Sequence, residues 1–208
     1  LSLWKNQSLY HLDYNYVEEY IDNLIKNCKG CIYLLSVYDA SKEAAIINRF
    51  PNKKFILTDV SIKAIKSLES IWDNVEVIET TFSKFTSKPE DLIITNISEY
   101  ILNNLELTEF LNNGSDIIFN NLHIYKHKKS VRLYSFLFEI YILLNNLIAP
   151  NMGRNQMQFR GYLRTIDDFF LMAENSNKYL KSITIRKGSD SPQKFFTKQS
   201  GMVHYSSK

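Results

Sequence analysis

The sequence predicts an α/β domain built on a doubly wound, mostly parallel sheet. Three observations predict it. Short apolar runs alternate with helix-like stretches along the first 120 residues, the order of strands joined by helical crossovers. Those runs are continuously apolar rather than alternating, as strands covered by helices on both faces are. The chain then changes style and closes with two β-like stretches, 180–187 and 195–205, joined by Gly188-Ser189-Asp190-Ser191-Pro192, a hairpin loop. Five parallel strands and this antiparallel pair make seven.

The elements follow in order. Between Tyr14 and Asn27, Tyr16, Val17, Tyr20, Ile21, Leu24 and Ile25 recur at helical spacing, which predicts an amphipathic helix. The first strand is 31–37. A helix over 41–49 follows, with Ser41 as its N-cap and Pro51 beyond its end. The second strand, 54–59, ends in Asp59, and Ser61 caps a helix to about Ile71. The third strand is 75–78 and the fourth 91–97. A short helix near 106–111 leads through Asn112-Asn113-Gly114, a turn signal, to a fifth strand at 116–119. A long aromatic helix over 130–148 carries Tyr134, Phe136, Phe138 and Tyr141, which reads as packing on more than one side. Pro150 to Gly161 is a polar loop. A helix starts near Thr165, with Asp167 and Asp168 in its first turn. The 208 residues suit one domain, with the N-terminal helix at 14–27 and a lid-like insertion over 122–164.

Composition narrows the function. Apolar residues are 45% and charged residues 23%, the globular range, which excludes bulk disorder. Residues 1–120 hold 11 Lys/Arg against 17 Asp/Glu, and residues 121–208 hold 14 against 5. The basic half favours an anionic ligand or is a solvated surface. No nucleic-acid motif accompanies it. Cys28 and Cys31 have the C-x-x-C spacing, but no second Cys pair or His cluster completes a zinc set, and Cys31 opens an apolar run. The apolar stretch 131–149 is interrupted by Arg132, Glu139, Asn145 and Asn146, so it does not read as a membrane span. No leader sequence is visible, and a cytoplasmic protein is expected.

Three segments carry a family resemblance. Phe55-Ile56-Leu57-Thr58-Asp59-Val60-Ser61 is a strand ending in an acid. Asp91-Leu92-Ile93-Ile94-Thr95-Asn96 leads into a polar loop. Leu111-Asn112-Asn113-Gly114-Ser115-Asp116-Ile117-Ile118-Phe119 is a turn into a strand. In this order and spacing the chain resembles the class I S-adenosylmethionine-dependent methyltransferases over about residues 14–205. The resemblance implies a Rossmann-like seven-stranded sheet, S-adenosylmethionine as cofactor, and methyl transfer to an oxygen or nitrogen of a small molecule. The family's acid in strand one falls here on Leu34, and its Gly-x-Gly turn falls on Ser36, Val37, Tyr38 and Ala40, none of them glycine.

The resemblance places Ser36, Tyr38, Asp59, Val60, Thr81 and Asn96 at the cofactor, with Asp59 accepting from the ribose hydroxyls. Asp59 also reads as a helix-capping acid. Glu99 and His123 are the candidate bases on the catalytic face, with His127 behind them; each also reads as an exposed side chain. Tyr100, Arg160, Tyr162 and Arg164 are the candidate acceptor contacts, because arginines in an aromatic loop hold phosphate or carboxylate through paired N–H groups. A sugar or glycan precursor is the acceptor expected, anionic if the arginines bind it. No metal is expected. The aromatic helix leaves room for a homodimer or peripheral membrane contact. The rival reading is an inactive methyltransferase-like binding or assembly subunit, suggested by the glycine-free turn.

Overall fold

The computed structural model describes residues 10–11, 14–37, 43–60, 66–96, 101–125, 128–152, 162–185 and 198–207. The strands are β1 (Tyr10–His11), β2 (Ile32–Leu35), β3 (Phe55–Asp59), β4 (Val75–Glu79), β5 (Leu92–Asn96), β6 (Asp116–Tyr125), β7 (Arg164–Thr165), β8 (Lys178–Ile185) and β9 (Lys198–Ser207). The helices are α1 (Tyr14–Asn27), α2 (Ala44–Arg49), α3 (Asn104–Leu111), α4 (Lys128–Ile148) and α5 (Ile166–Glu174). Short 3-10 turns cover Lys66–Ser70 and Ala149–Met152.

One sheet carries all the strands, in the order β1-β8-β9-β6-β5-β2-β3-β4, with β7 beside β6. Strands β2 to β6 pair in parallel, and β9 runs antiparallel between β6 and β8. The chain builds outward from β2 in one direction through β3 and β4. It then crosses to the other side of β2 to lay down β5 and β6. The crevice between the carboxyl ends of β2 and β5 is therefore the sheet's topological switch point, where ligands of open α/β sheets bind.

Helices cover both faces, as the continuous apolar strands require. On one face Val17, Ile21 and Ile25 of α1 and Ile46 and Ile47 of α2 pack on Ile32, Leu34, Leu57 and Ile94. On the other, Leu107 and Phe110 of α3 and Ile166, Phe169 and Met172 of α5 pack on Leu35, Ile93, Ile117 and Phe119. Asp91, 5% exposed, clamps the foot of the central strand pair. Its Oδ1 accepts from Cys31 N at 2.8 Å and its Oδ2 from Lys88 N at 2.8 Å. A Cβ on Gly30 would stand 2.3 Å from Asp91 Oδ1, so glycine is required for this approach.

Several expectations are corrected. The helix expected over 61–71 is, in its described part, the 3-10 turn Lys66–Ser70; Glu69 Oε1 accepts from Val77 N at 2.8 Å, which ties this turn to β4. The fifth strand runs on to Tyr125 as β6. Asn121 sits in the left-handed region (φ 58°), and the β6–β9 register shifts between Phe119 and Leu122: a bulge re-aims the strand without ending it. Of the stretch 122–164, Leu122–Tyr125 thus continue β6 and Arg164 opens β7, which pairs Ile124↔Arg164. The pairing of β1 with β8 had no signal in the sequence. Ser41, the hairpin loop at 188–192 and most of the polar loop lie outside the described residues. The α5 start is as expected: Thr165 and Asp168 form a capping box.

The long helix α4 departs most. Tyr134 and Phe138 turn inward, with Tyr134 against Tyr125 at a ring separation of 6.0 Å. Phe136 and Tyr141, also expected to pack, are 59% and 51% exposed.

At the foot of β6 a buried polar cluster joins α1 to the sheet. His204, fully buried, has its Nδ1 2.6 Å from Tyr20 Oη. Its Nε2 lies 3.5 Å from Asp116 Oδ2, at ion-pair distance without hydrogen-bond alignment. Burial pushes the His204 pKa below its usual value, against the pull of Asp116. Burial opposes ionisation of Asp116 too, but His204 and the Ser206 hydroxyl outweigh it and hold the carboxyl at about 2. Both folded values lie below the unfolded ones, so both groups stabilise the fold at neutral pH and lose that contribution on acidification. Thermal melts should show the midpoint falling as pH drops below about 6.5, the unfolded histidine value, with a further loss below the ordinary carboxyl range as Asp116 titrates toward its folded value. His204→Asn should flatten the first of these slopes.

Candidate active site

The site is built from the carboxyl ends of β2, β3, β4 and β5. The β2 end, Leu35, is in register with Thr58 of β3 and Thr95 of β5. Beyond it Ser36 adopts φ 57°, the left-handed conformation that glycine supplies without strain. Val37 N donates to Thr58 O at 3.3 Å, and its side chain, 4% exposed, packs into the α1–α2 core. The first turn therefore keeps the glycine-like backbone bend at Ser36 and directs its bulky neighbour away from the crevice.

Asp59 ends β3, half-buried, and its carbonyl accepts from Thr80 N at 3.1 Å. This ties the loop after β4 to the end of β3. Val60, 65% exposed, and Thr81 then line one side of a cleft of about 460 Å³, which Phe82, Ile101, Leu102 and Phe110 continue. Thr81 Oγ1 lies 3.0 Å from Ser83 Oγ on the same rim. The cleft abuts the end of β3, so an acceptor at Asp59 and a partly apolar slot lie side by side.

On the other side of the crevice Asn96 closes β5. Its Nδ2 donates to Glu43 Oε1 at 2.7 Å, and its Oδ1 accepts from Asn121 Nδ2 at 3.1 Å. Glu43, 3% exposed, stands at the start of α2. The left-handed Asn121 at the β6 bulge is what brings its amide to Asn96. A chain Glu43–Asn96–Asn121 thus links the start of α2, the end of β5 and the bulge within β6. Glu43 was missed by sequence reasoning. The available signal was an acid opening the helix after strand one while the strand itself, Leu34 included, had none.

The remaining candidates divide. Tyr38, Glu99, Tyr100, His127 and Arg160 lie outside the described residues. His123 lies within β6, exposed, opposite Ser200 of β9, and not in a loop beyond the strand. Tyr162 is 42% exposed. Arg164 is 2% exposed rather than on a surface loop: it stacks 5.9 Å over the Tyr162 ring, and its guanidinium donates to Leu102 O and, at 3.2 Å, to Asn104 Oδ1. It thereby ties β7 to Leu102, a residue of the cleft wall, and to the start of α3.

The left-handed turn makes a stability prediction. Ser36→Gly should be neutral within about 1 kcal/mol, because relief of strain and added unfolded-state freedom oppose each other. Ser36→Val should cost about 1–3 kcal/mol, since a β-branched residue is a poor occupant of that region. Chemical denaturation of the two variants checks both.

No family model matches the sequence, and no curated protein matches it. Solved structures do match by shape. A geranyl diphosphate methyltransferase in complex with S-adenosylmethionine superposes with TM-score 0.57 at 8% identity, covering 93% of this chain and 87% of the other. A methyltransferase from Methanosarcina mazei gives 0.60 at 10% identity, covering 91% and 96%. Mitomycin 7-O-methyltransferase gives 0.57 at 12% identity, covering 93% of this chain and 54% of the other. The chain thus spans nearly the full length of some of these proteins and about half of others. At such identities the likeness speaks for the fold: this chain has the Rossmann-like fold of the class I S-adenosylmethionine-dependent methyltransferases.

Proposed function

We propose that this chain binds S-adenosylmethionine in the β2–β5 crevice and directs methyl transfer to an oxygen or nitrogen atom of a small molecule. The observation that carries the reading is the retained crevice: a left-handed turn at Ser36, Asp59 at the adjacent strand end, and an open cleft beyond it lined by Val60 and Thr81. These residues fit an adenosyl group. Asp59 accepts from vicinal hydroxyls, the cleft takes an apolar-faced base, and Val37 does not obstruct the turn.

When bound, the cofactor supplies an electrophilic methyl group on a sulfonium. The protein's part is to hold donor and acceptor in line and to keep water out. Glu43 and Asn96 stand at the end of β5, across β2 from Asp59. A carboxylate there suits the ammonium group of the zwitterionic amino-acid arm and would replace the acid that strand one lacks. Glu99 and His123 remain the proposed bases for an acceptor that must lose a proton. Tyr100, Arg160 and Tyr162 remain the proposed acceptor contacts, and a sugar or glycan precursor the proposed acceptor class.

A second reading is favoured by one observation: Glu43 is already hydrogen-bonded to Asn96 within the fold. In that reading the network is purely structural, the crevice is not used for catalysis, and the chain serves as a binding or assembly subunit.

Calorimetric titration with two ligands separates the readings. S-adenosylhomocysteine carries the amino-acid arm and 5′-methylthioadenosine lacks it. Asp59→Ala should weaken both by about tenfold or more, the scale of a lost charge-assisted hydrogen bond. Glu43→Gln should weaken S-adenosylhomocysteine and spare methylthioadenosine. Binding of both ligands unchanged by Glu43→Gln would remove Glu43 from the site. No binding of either at millimolar concentration, in folded protein, would overturn the methyltransferase reading in favour of the second.

A further inference from the structure

The outer face of α4 is apolar and uncovered. Leu133, Phe136, Leu137, Ile140, Tyr141, Leu143, Leu144, Leu147 and Ile148 are each 41–66% exposed. No residue of the Val131–Ile148 window is buried. At 100° per residue these side chains fill one arc of roughly 160°, wider than the stripe an ordinary surface helix presents. The polar residues Ser135, Asn145 and Asn146 lie on the half-buried side. The helix is apolar outward, the reverse of a helix whose only partner is its own sheet.

We propose that this face is the contact surface of a homodimer, α4 against α4 about a twofold axis. The first argument is size. At the exposures given, the nine side chains leave on the order of 900 Å² open, close to the about 800 Å² per partner of a stable interface. That exceeds the largest apolar patch of a typical monomer, about 300–600 Å². The second is spacing. Leu133, Phe136, Ile140, Leu143 and Leu147 alternate by three and four residues, the seam that packs against another helix. A twofold pair needs only the surface this chain already has, since each copy offers the same patch.

A lipid surface fits less well. The borders of a membrane-surface helix carry cations along their length. Here Lys128, Lys129 and Arg132 crowd the first turns, and from Leu133 to Ile148 the one charged residue is Glu139. A spanning arrangement is excluded by the fold. Tyr125, three residues before α4, ends β6, and Arg164, after it, pairs beside Ile124. A spanning α4 would need the sequence between Met152 and Arg164, with Arg154, Asn155, Gln156, Gln158 and Arg160, to recross the hydrocarbon.

The test is the molar mass of the full chain in solution, by light scattering across a concentration series. Ile140→Lys and, separately, Leu147→Lys are made beside it, and circular dichroism confirms their fold. The expected result is a mass twice that of the chain, with a dimer dissociation constant about thirtyfold or more higher in each variant. A monomeric wild-type chain would overturn the inference. Flotation of that monomer with phosphatidylglycerol-containing vesicles would then assign the face to lipid. A dimer unaffected by both substitutions would overturn it too, by placing the interface elsewhere.

Discussion

The pairing of β2 with β5 at the centre of the sheet governs the rest of the structure. Four residue pairs, from Ile32↔Leu92 to Leu35↔Thr95, run in parallel register. Asp91 fixes that register at the foot by accepting from Cys31 N and Lys88 N, and Gly30 makes room for it. Parallel strands allow no slip when both faces are buried, because a shift of one residue would exchange the two core faces. With the foot fixed, the opposite ends are fixed as well. Ser36, Asp59 and Asn96 are brought to one side of the sheet by backbone register before any contact among their side chains.

That order explains how a turn without glycine keeps the shape of one that has it. The strand ends dictate where the chain must bend, and Ser36 takes the left-handed conformation the bend demands. The strain is borne by the surrounding pairing, including the bond from Val37 to Thr58. At the end of β5, Asn96 is held from the start of α2 by Glu43, whose carboxylate accepts from its Nδ2. The crevice and the outer face of α4 are separate features. One arises at the strand ends, and the other on a helix whose flanking strands, β6 and β7, pair side by side.

The parallel strands were legible in the sequence because burial on both faces writes them as continuous apolar runs: Phe55–Leu57 and Leu92–Ile94 stand out against their polar neighbours. The helix α1 was legible for the same reason, its apolar positions recurring at helical spacing. The orientation of α4 was not. Nearly continuous apolar sequence contains no phase information, so which aromatics turn inward depends on the neighbour, here Tyr125. The length of β6 was hidden by Asn120-Asn121, two polar residues that interrupt the apolar run and form a bulge within the strand. Arg164 reads as a surface residue by type. Its burial depends on carbonyl and amide acceptors at Leu102 and Asn104, some sixty residues away in sequence. Of the site, the strand-end acid Asp59 was legible by position. Glu43 was not, because its significance depends on Asn96, which sequence separates from it by 53 residues.

An amide-resolved NMR titration with S-adenosylhomocysteine tests most directly whether the crevice has kept its ligand without its glycines. The account predicts shifts concentrated at Ser36, Val37, Asp59, Val60, Thr81 and Asn96, saturating together. Shifts that cluster instead at the opposite end of the sheet, around Cys28 and Asp91, or no shifts at saturating ligand, would contradict it.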